Sequence, residues 1–225
     1  QISSANIACG GHAGNDRTMI DMLESSAAAG VAAGAHPSYP DRENFGRTSM
    51  KMTDEALVVT LTGQILALKC HADMRGIPIT HVKPHGQLYN DAADHMHLAK
   101  LIAKVIGQTL PDAAYVGLAG SEMAAAARAA GQAFIAEGFA DRRYDARGRL
   151  VSRREAGAVL ESETERIEQA LRLARGKPIQ SKQGGLIDIK VDSICLHSDS
   201  DGALASARDI RSALDKAGIK VASRR

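Results

Sequence analysis

The segment Ile79-Thr-His-Val-Lys-Pro-His-Gly-Gln-Leu-Tyr-Asn90 packs His81, Lys83 and His85 into five positions and follows them with Gly86. Lysine supplies a compact positive charge for phosphate or carboxylate, and histidine exchanges protons near neutral pH. Proline at 84 disfavours helix at Lys83 and cannot donate to a sheet ladder, so the β-rich run over 79–82 is predicted to end as a strand there. Gly86 then lets backbone approach a ligand closely. A lone Lys or His in such a place is more often a solvated loop residue. Here strand, then His or Lys, then Gly or Pro recurs at Cys9-Gly-Gly-His12 and Ala35-His-Pro37, and Leu196-His197 again places a histidine at a strand end. That recurrence marks a site.

The elements that must position these residues alternate along the chain. A strand over 2–9 leads through a glycine turn to an amphipathic helix over 16–29, closed by Gly30. A strand over 31–35 leads into a long loop, 36–47, and a helix from Thr53 to about residue 75. Loops of that length in compact domains are usually functional. The opening segment forms the third unit, with a helix near 96–107, and a strand over 114–118 with an Ala-rich helix over 121–130 forms the fourth. The turn between them, Gly117-Leu-Ala-Gly-Ser121, is either a plain connection or an anion site at a helix N-terminus.

A fifth strand over 133–139 places Asp141, Arg142 and Tyr144 at its end, before a hairpin with an Ala-Arg-Gly turn. Arg147, Arg149, Arg153 and Arg154 read as a solvated face. A helix over 163–175, a loop or small hairpin containing Gly184-Gly185, a sixth strand over 193–197, a cap at 199–201, a helix over 203–217 and a short strand over 219–222 complete the chain. Such alternation implies one α/β domain over 1–225, a largely parallel sheet with helices outside it. In parallel barrels the ligand site lies at the C-terminal strand ends. That rule is expected to gather His12, His36, Lys83, His85, Asp141, Arg142 and His197 on one face, whereas His71, His95 and His97 fall on helices.

Composition narrows the function. Basic and acidic residues nearly balance, 28 against 26, and aromatics are 3% with no Trp, which argues against a nucleic-acid surface and for a small-molecule ligand. No apolar run approaches the roughly 18 residues of a membrane span, so no membrane partner is expected. Three cysteines, Cys9, Cys70 and Cys195, lack zinc-type spacing and are too few for a disulfide framework, as suits the reducing cytoplasm. Cys9 fits a buried strand position better than a nucleophile.

With these residues located, the chain resembles the LamB/YcsF family over essentially its whole length. The resemblance rests on Ser3-Ser-Ala-Asn-Ile-Ala-Cys-Gly10, His12-Ala-Gly14, Gly34-Ala-His-Pro37, Asn44-Phe-Gly-Arg47, His81-Val-Lys-Pro-His-Gly86, Leu88-Tyr-Asn90, Gly117-Leu-Ala-Gly-Ser121, Phe139-Ala-Asp-Arg142 and Cys195-Leu-His197. It implies a distorted seven-stranded, TIM-like (β/α) barrel similar to the glycoside hydrolase/deacetylase superfamily. The chain departs from the family pattern at Gly11 (usually Phe), Asn15 (usually Asp) and Ser198 (usually Gly). The family's acid-rich first strand would precede Gln1, so that strand is expected to be missing here.

Members of the family act with two partner subunits, B and C, in the ATP-dependent opening of 5-oxo-L-proline to L-glutamate. The resemblance therefore implies 5-oxoproline and ATP as ligands, with Mg as the nucleotide counter-ion. His12, Lys83, His85 and Asp141 become catalytic candidates, and His36, Arg47, Tyr89, Asn90, Arg142 and His197 substrate-binding ones. Lys83 and Arg142 suit phosphate or carboxylate, and His12 and His85 suit proton transfer. No metal ligand set is assigned, and on the acid/base reading no tightly held zinc is expected. The rival readings are a metal-dependent, deacetylase-like hydrolase of a small amide or carbohydrate, and a non-catalytic lactam-binding subunit. Association with further copies of the chain is compatible with the sequence.

Overall fold

The structure, a computed structural model, describes residues 1–198 and 202–223; the expected cap at 199–201 lies outside them. The chain divides into two compact units, one holding residues 3–117, 121–134 and 223, the other 1–2, 118–120 and 135–222. The fold class is α/β, and parallel strands returning through helices give it the alternation of a TIM-like barrel.

In the larger unit β1 (Ser4–Ala8), β2 (Ala32–His36), β3 (Ile79–Val82) and β4 (Ala114–Leu118) lie side by side, each parallel to the next. Helix α1 (Asp16–Ala28) starts at Asn15, whose side chain accepts from Thr18 N–H while the Thr18 hydroxyl accepts from Asn15 N–H, a reciprocal cap. Helix α2 (Asp54–Asp73) is capped by Thr53 and buries Leu57, Leu61, Ile65, Leu68 and Ala72 on one face. Each buried leucine or isoleucine there contributes roughly 1.5–3 kcal/mol relative to exposure.

One helix escapes the sequence reading. The segment after His85, with no helix expected before residue 96, is α3 (Gly86–Asp94), followed at once by α4 (Met96–Thr109). Gly86 explains both the miss and the fold: its φ is +60°, and a Cβ there would stand 2.4 Å from the Gly46 carbonyl oxygen. Only glycine admits that approach, which brings the 36–47 loop against the start of α3. Helix α5 (Glu122–Ala129) completes the larger unit.

In the smaller unit β5 (Phe134–Phe139) pairs in parallel with β8 (Ser193–Cys195), while β6 (Ile179–Gln180) and β7 (Leu186–Ile187) form the small hairpin expected around Gly184-Gly185. Helices α6 (Glu163–Ala174) and α7 (Ala203–Lys216) close its core through Ala170, Ile210 and Leu214. The short strand expected over 219–222 is not formed: Ile219 and Val221 pack on that helical core instead of pairing with a sheet. Among the described residues no helix is long and apolar enough to cross a membrane.

Candidate active site

Three strand ends of the larger unit bring their histidines together. His12 leaves the turn after β1, His36 ends β2, and His85 stands between β3 and α3. Backbone seats the last two: Lys83 N–H donates to Ala35 O at 2.9 Å, and His85 N–H donates to Pro37 O at 2.8 Å. The His12 and His85 rings stack with centroids 3.6 Å apart and planes 8° apart, and His36 meets both edge-on.

The 36–47 loop forms the other wall. Arg42 donates to Gly10 O and Gly14 O, fastening the loop to the turn that carries His12. Phe45 sits at φ 54°, an uncommon conformation for a bulky residue that costs on the order of 1–3 kcal/mol. What holds it there is visible: its ring meets His12 and His85 edge-on, the Arg47 guanidinium lies 5.0 Å from its centroid, and its carbonyl accepts from His85 Nε2 at 2.9 Å.

These contacts fix the ring tautomers, because a carbonyl oxygen only accepts. His36 Nδ1 lies 2.6 Å from Lys83 O and so carries a proton, leaving Nε2 as a lone pair. His85 Nε2 donates to Phe45 O, leaving Nδ1 as a lone pair. Those two lone pairs face each other at 3.0 Å. His12 Nδ1 is buried and has no hydrogen-bond partner. The three rings offer ligating atoms within 4.8 Å of one another, so His12, His36 and His85 form a group able to hold a metal ion.

Burial, followed by the charges of Arg47 and Arg42, holds His12 down at about 4. Burial and the neighbouring His12 take His85 to about 3, against the raising effect of the bond to Phe45 O. His36 is lowered well below its ordinary value by burial and by His85, Lys83 and His12. At neutral pH all three are uncharged, so the near-neutral titration expected of His12 and His85 does not hold for them.

Lys83 is buried at the end of β3, its Nζ 5.6 Å from the Tyr89 ring centroid. Tyr89 is itself buried, with its ring turned toward Lys83. Asn90, on α3, and Arg47 are partly exposed. His81, the third residue of the opening segment, is structural. Its ring crosses Gly34 of β2 to put Nε2 3.1 Å from Asn6 Oδ1 on β1, while Nδ1 lies 2.9 Å from the Thr80 hydroxyl. A Cβ on Gly34 would stand 2.1 Å from that ring. Cys9 is likewise inert: burial pushes its thiol up to about 12, and the thiol donates to Ile7 O.

The smaller unit holds Asp141, Arg142 and His197. The Asp141 carboxylate accepts from His197 Nδ1, and the ring lies over Phe139 with centroids 5.5 Å apart. With Nδ1 protonated, Nε2 is left as a lone pair on a partly exposed residue. Burial alone would raise the Asp141 carboxyl; the hydrogen bonds from the His197 ring and backbone, with the charge of Arg142, hold it below its ordinary value instead. Arg142 is not the anion-binding fork expected. It is buried and donates to Val151 O and Ala158 O, which makes it a clamp across its own loop.

The residue types alone do not reveal the roles of Phe45 and Asn6. Phe45 lies inside a quoted family segment, yet it acts through a carbonyl, which side-chain types do not reveal.

Parallel strands that carry buried histidines and a lysine at their C-terminal ends define a TIM-like α/β protein with a polar strand-end site, the arrangement of small-molecule enzymes of that class. The chain belongs to the LamB/YcsF family, whose model matches residues 1–225. It is 43% identical over 222 residues to a Histophilus somni (strain 129Pt) protein named as the A subunit of 5-oxoprolinase, covering 99% of this chain and 90% of that one. It is also similar to the crystal structure of the lactam utilization protein from Thermus thermophilus, with a TM-score of 0.91 and 34% identity over 99% of this chain and 89% of the other.

Proposed function

We propose that this chain is the A subunit of an ATP-dependent 5-oxoprolinase of the cytoplasm, opening the lactam of 5-oxo-L-proline to L-glutamate with partner subunits B and C. The observation that carries the reading is the 43% identity to a protein named as the A subunit of 5-oxoprolinase. The buried Lys83 at a strand end agrees with it.

Amide resonance makes the lactam carbonyl a poor electrophile. Transfer of the γ-phosphoryl group from ATP to the lactam oxygen releases ADP and turns that oxygen into a leaving group. Water then adds to the carbon, the C–N bond breaks with its pair going to nitrogen, which takes a proton, and a second water hydrolyses the resulting acyl phosphate to the carboxylate and phosphate. Such a route needs a cation for the transferring phosphoryl group, a proton acceptor for water and a donor for nitrogen. Lys83 suits the first need and the partly exposed Arg47 a substrate carboxylate. Asp141 and His197 form the proton-transfer pair best prepared by its hydrogen bonding. His12, His36 and His85, neutral at pH 7, suit contact with substrate better than general acid catalysis.

The test is glutamate and ADP production from 5-oxoproline, ATP and magnesium by the chain with subunits B and C, each component omitted in turn. Glutamate is expected only from the complete mixture. An unchanged rate without this chain, or without ATP, would overturn the reading. ATP consumption by the isolated chain in a single turnover distinguishes a catalytic subunit from a lactam-binding one.

A further inference from the structure

The three-histidine group of the larger unit poses a problem that its own hydrogen bonds do not solve. His36 Nδ1–H is committed to Lys83 O and His85 Nε2–H to Phe45 O, so the opposite nitrogens of both rings confront each other as lone pairs at 3.0 Å. Two acceptors facing at that distance repel unless something positive lies between them. An added proton would bridge that pair but place an imidazolium in a buried setting beside Lys83 and Arg47, and would leave His12 Nδ1 still without a partner. A single cation with affinity for imidazole nitrogen answers all three atoms.

We propose that His12, His36 and His85 bind one transition-metal ion of the zinc class through His36 Nε2, His85 Nδ1 and a ring nitrogen of His12. The donor set is three neutral imidazoles, which suits zinc, cobalt, nickel or copper and not magnesium or calcium. Two of the ligands have their other ring nitrogen donated to a backbone carbonyl, Lys83 O and Phe45 O, the outer arrangement that fixes tautomer and orientation at imidazole–metal centres. The 3.0 Å between the paired nitrogens is near the spacing of about 3.3 Å that two ligands at 2.0–2.1 Å from a tetrahedral ion have. His12, now stacked flat on His85, tilts out of that stack on binding, because a ring nitrogen's lone pair lies in the plane of its ring. Among the described residues no carboxylate joins the three rings, and Arg42, Arg47 and Lys83 lie close to them. The coordination position left open therefore favours an anion, a hydroxide or a ligand carboxylate, over a neutral group. Gly46 leaves the two rings room on the loop side, since a Cβ there would stand 3.0 Å from His12 Cβ and 3.1 Å from His85 Cδ2.

The site is tested without reference to lactam opening, so its failure and that of the proposed function are separable. The untagged full chain is stripped with a chelator, dialysed against zinc and assayed by elemental analysis. About one zinc per chain is expected, with affinity at least about tenfold weaker in His36→Ala and in His85→Ala, and unchanged in His97→Ala, an exposed histidine of α4 paired with Asp54. X-ray absorption on the zinc-loaded wild-type chain requires no variant and is expected to give about three imidazole nitrogens at about 2.0–2.1 Å. Loss of zinc on dialysis, an oxygen-only shell, or equal affinity in folded His36→Ala and His85→Ala overturns the site.

Discussion

Asp141 holds His197 twice, accepting the backbone N–H at 3.2 Å and the ring Nδ1–H at 2.9 Å. One carboxylate thus sets both the position and the tautomer of the ring, the condition under which imidazole serves as a base through its far nitrogen. Asp141→Asn presents an amide N–H toward that Nδ1–H or turns the ring over. We expect partner-supported glutamate formation to fall by about 10²- to 10⁴-fold, with only a small change in substrate affinity. Rates within twofold of wild type in steady-state assays would remove this pair from the chemistry.

Lys83→Met is expected to lower turnover roughly a hundredfold, the magnitude for one preorganised charged donor, while melting temperature stays within a few degrees. His85→Ala is expected to lower both. Its ring fills space between His12 and Phe45 and donates to Phe45 O, so removal takes a packing partner from His12 and a hydrogen-bond donor from the strained Phe45. Calorimetry alongside kinetics separates the two outcomes.

Buried neutral histidines make stability depend on pH with a definite sign. His12 and His81 titrate at about 4 in the folded chain and His85 at about 3, against about 6.5 when unfolded. Between those values the unfolded state binds more protons, so stability is full above about pH 6.5 and drains away as pH falls toward 4. At pH 5 each such histidine costs on the order of 2 kcal/mol, and the costs are not additive for groups in contact. Urea unfolding at pH 7 and pH 5 is expected to show a loss of a few kcal/mol, reduced in His81→Asn. A flat profile would contradict the burial of these rings.

Gly34→Ala is expected to destabilise by about 2–4 kcal/mol, because the new methyl collides with the His81 ring. The same change in a His81→Ala background is expected to cost much less. Denaturant unfolding of the four proteins of that cycle gives the coupling directly; costs that simply add would show that the ring and the glycine do not touch.

How much of this could be read in advance depends on which atoms act. The strand ends at His12, His36 and His85 followed from Gly and Pro punctuation after β-rich runs, because those residues restrict backbone in ways that local sequence shows. Helix α3 did not follow: its start depends on Gly46, forty residues earlier, lying against Gly86. Arg142 failed for a related reason. A guanidinium at a strand end reads as an anion fork, and only the path of the 151–158 backbone shows that its donors are spent on carbonyls. The near-neutral histidines failed because a pKa belongs to an environment, and burial among three cations is a property of the folded chain.

The bond from His81 to Asn6 joins residues 75 positions apart. During synthesis β1 and β2 emerge long before the residue that ties them across Gly34, and closing so long a loop is slow relative to forming helices α1 and α2. The histidine cluster shares that delay, since His85 follows His81 by four residues. A nascent chain that ends before His81 thus contains His12 and His36 but not the ring that ties β1 to β2. Binding that uses His85 together with His12 and His36 therefore waits until β3 has joined the first two strands.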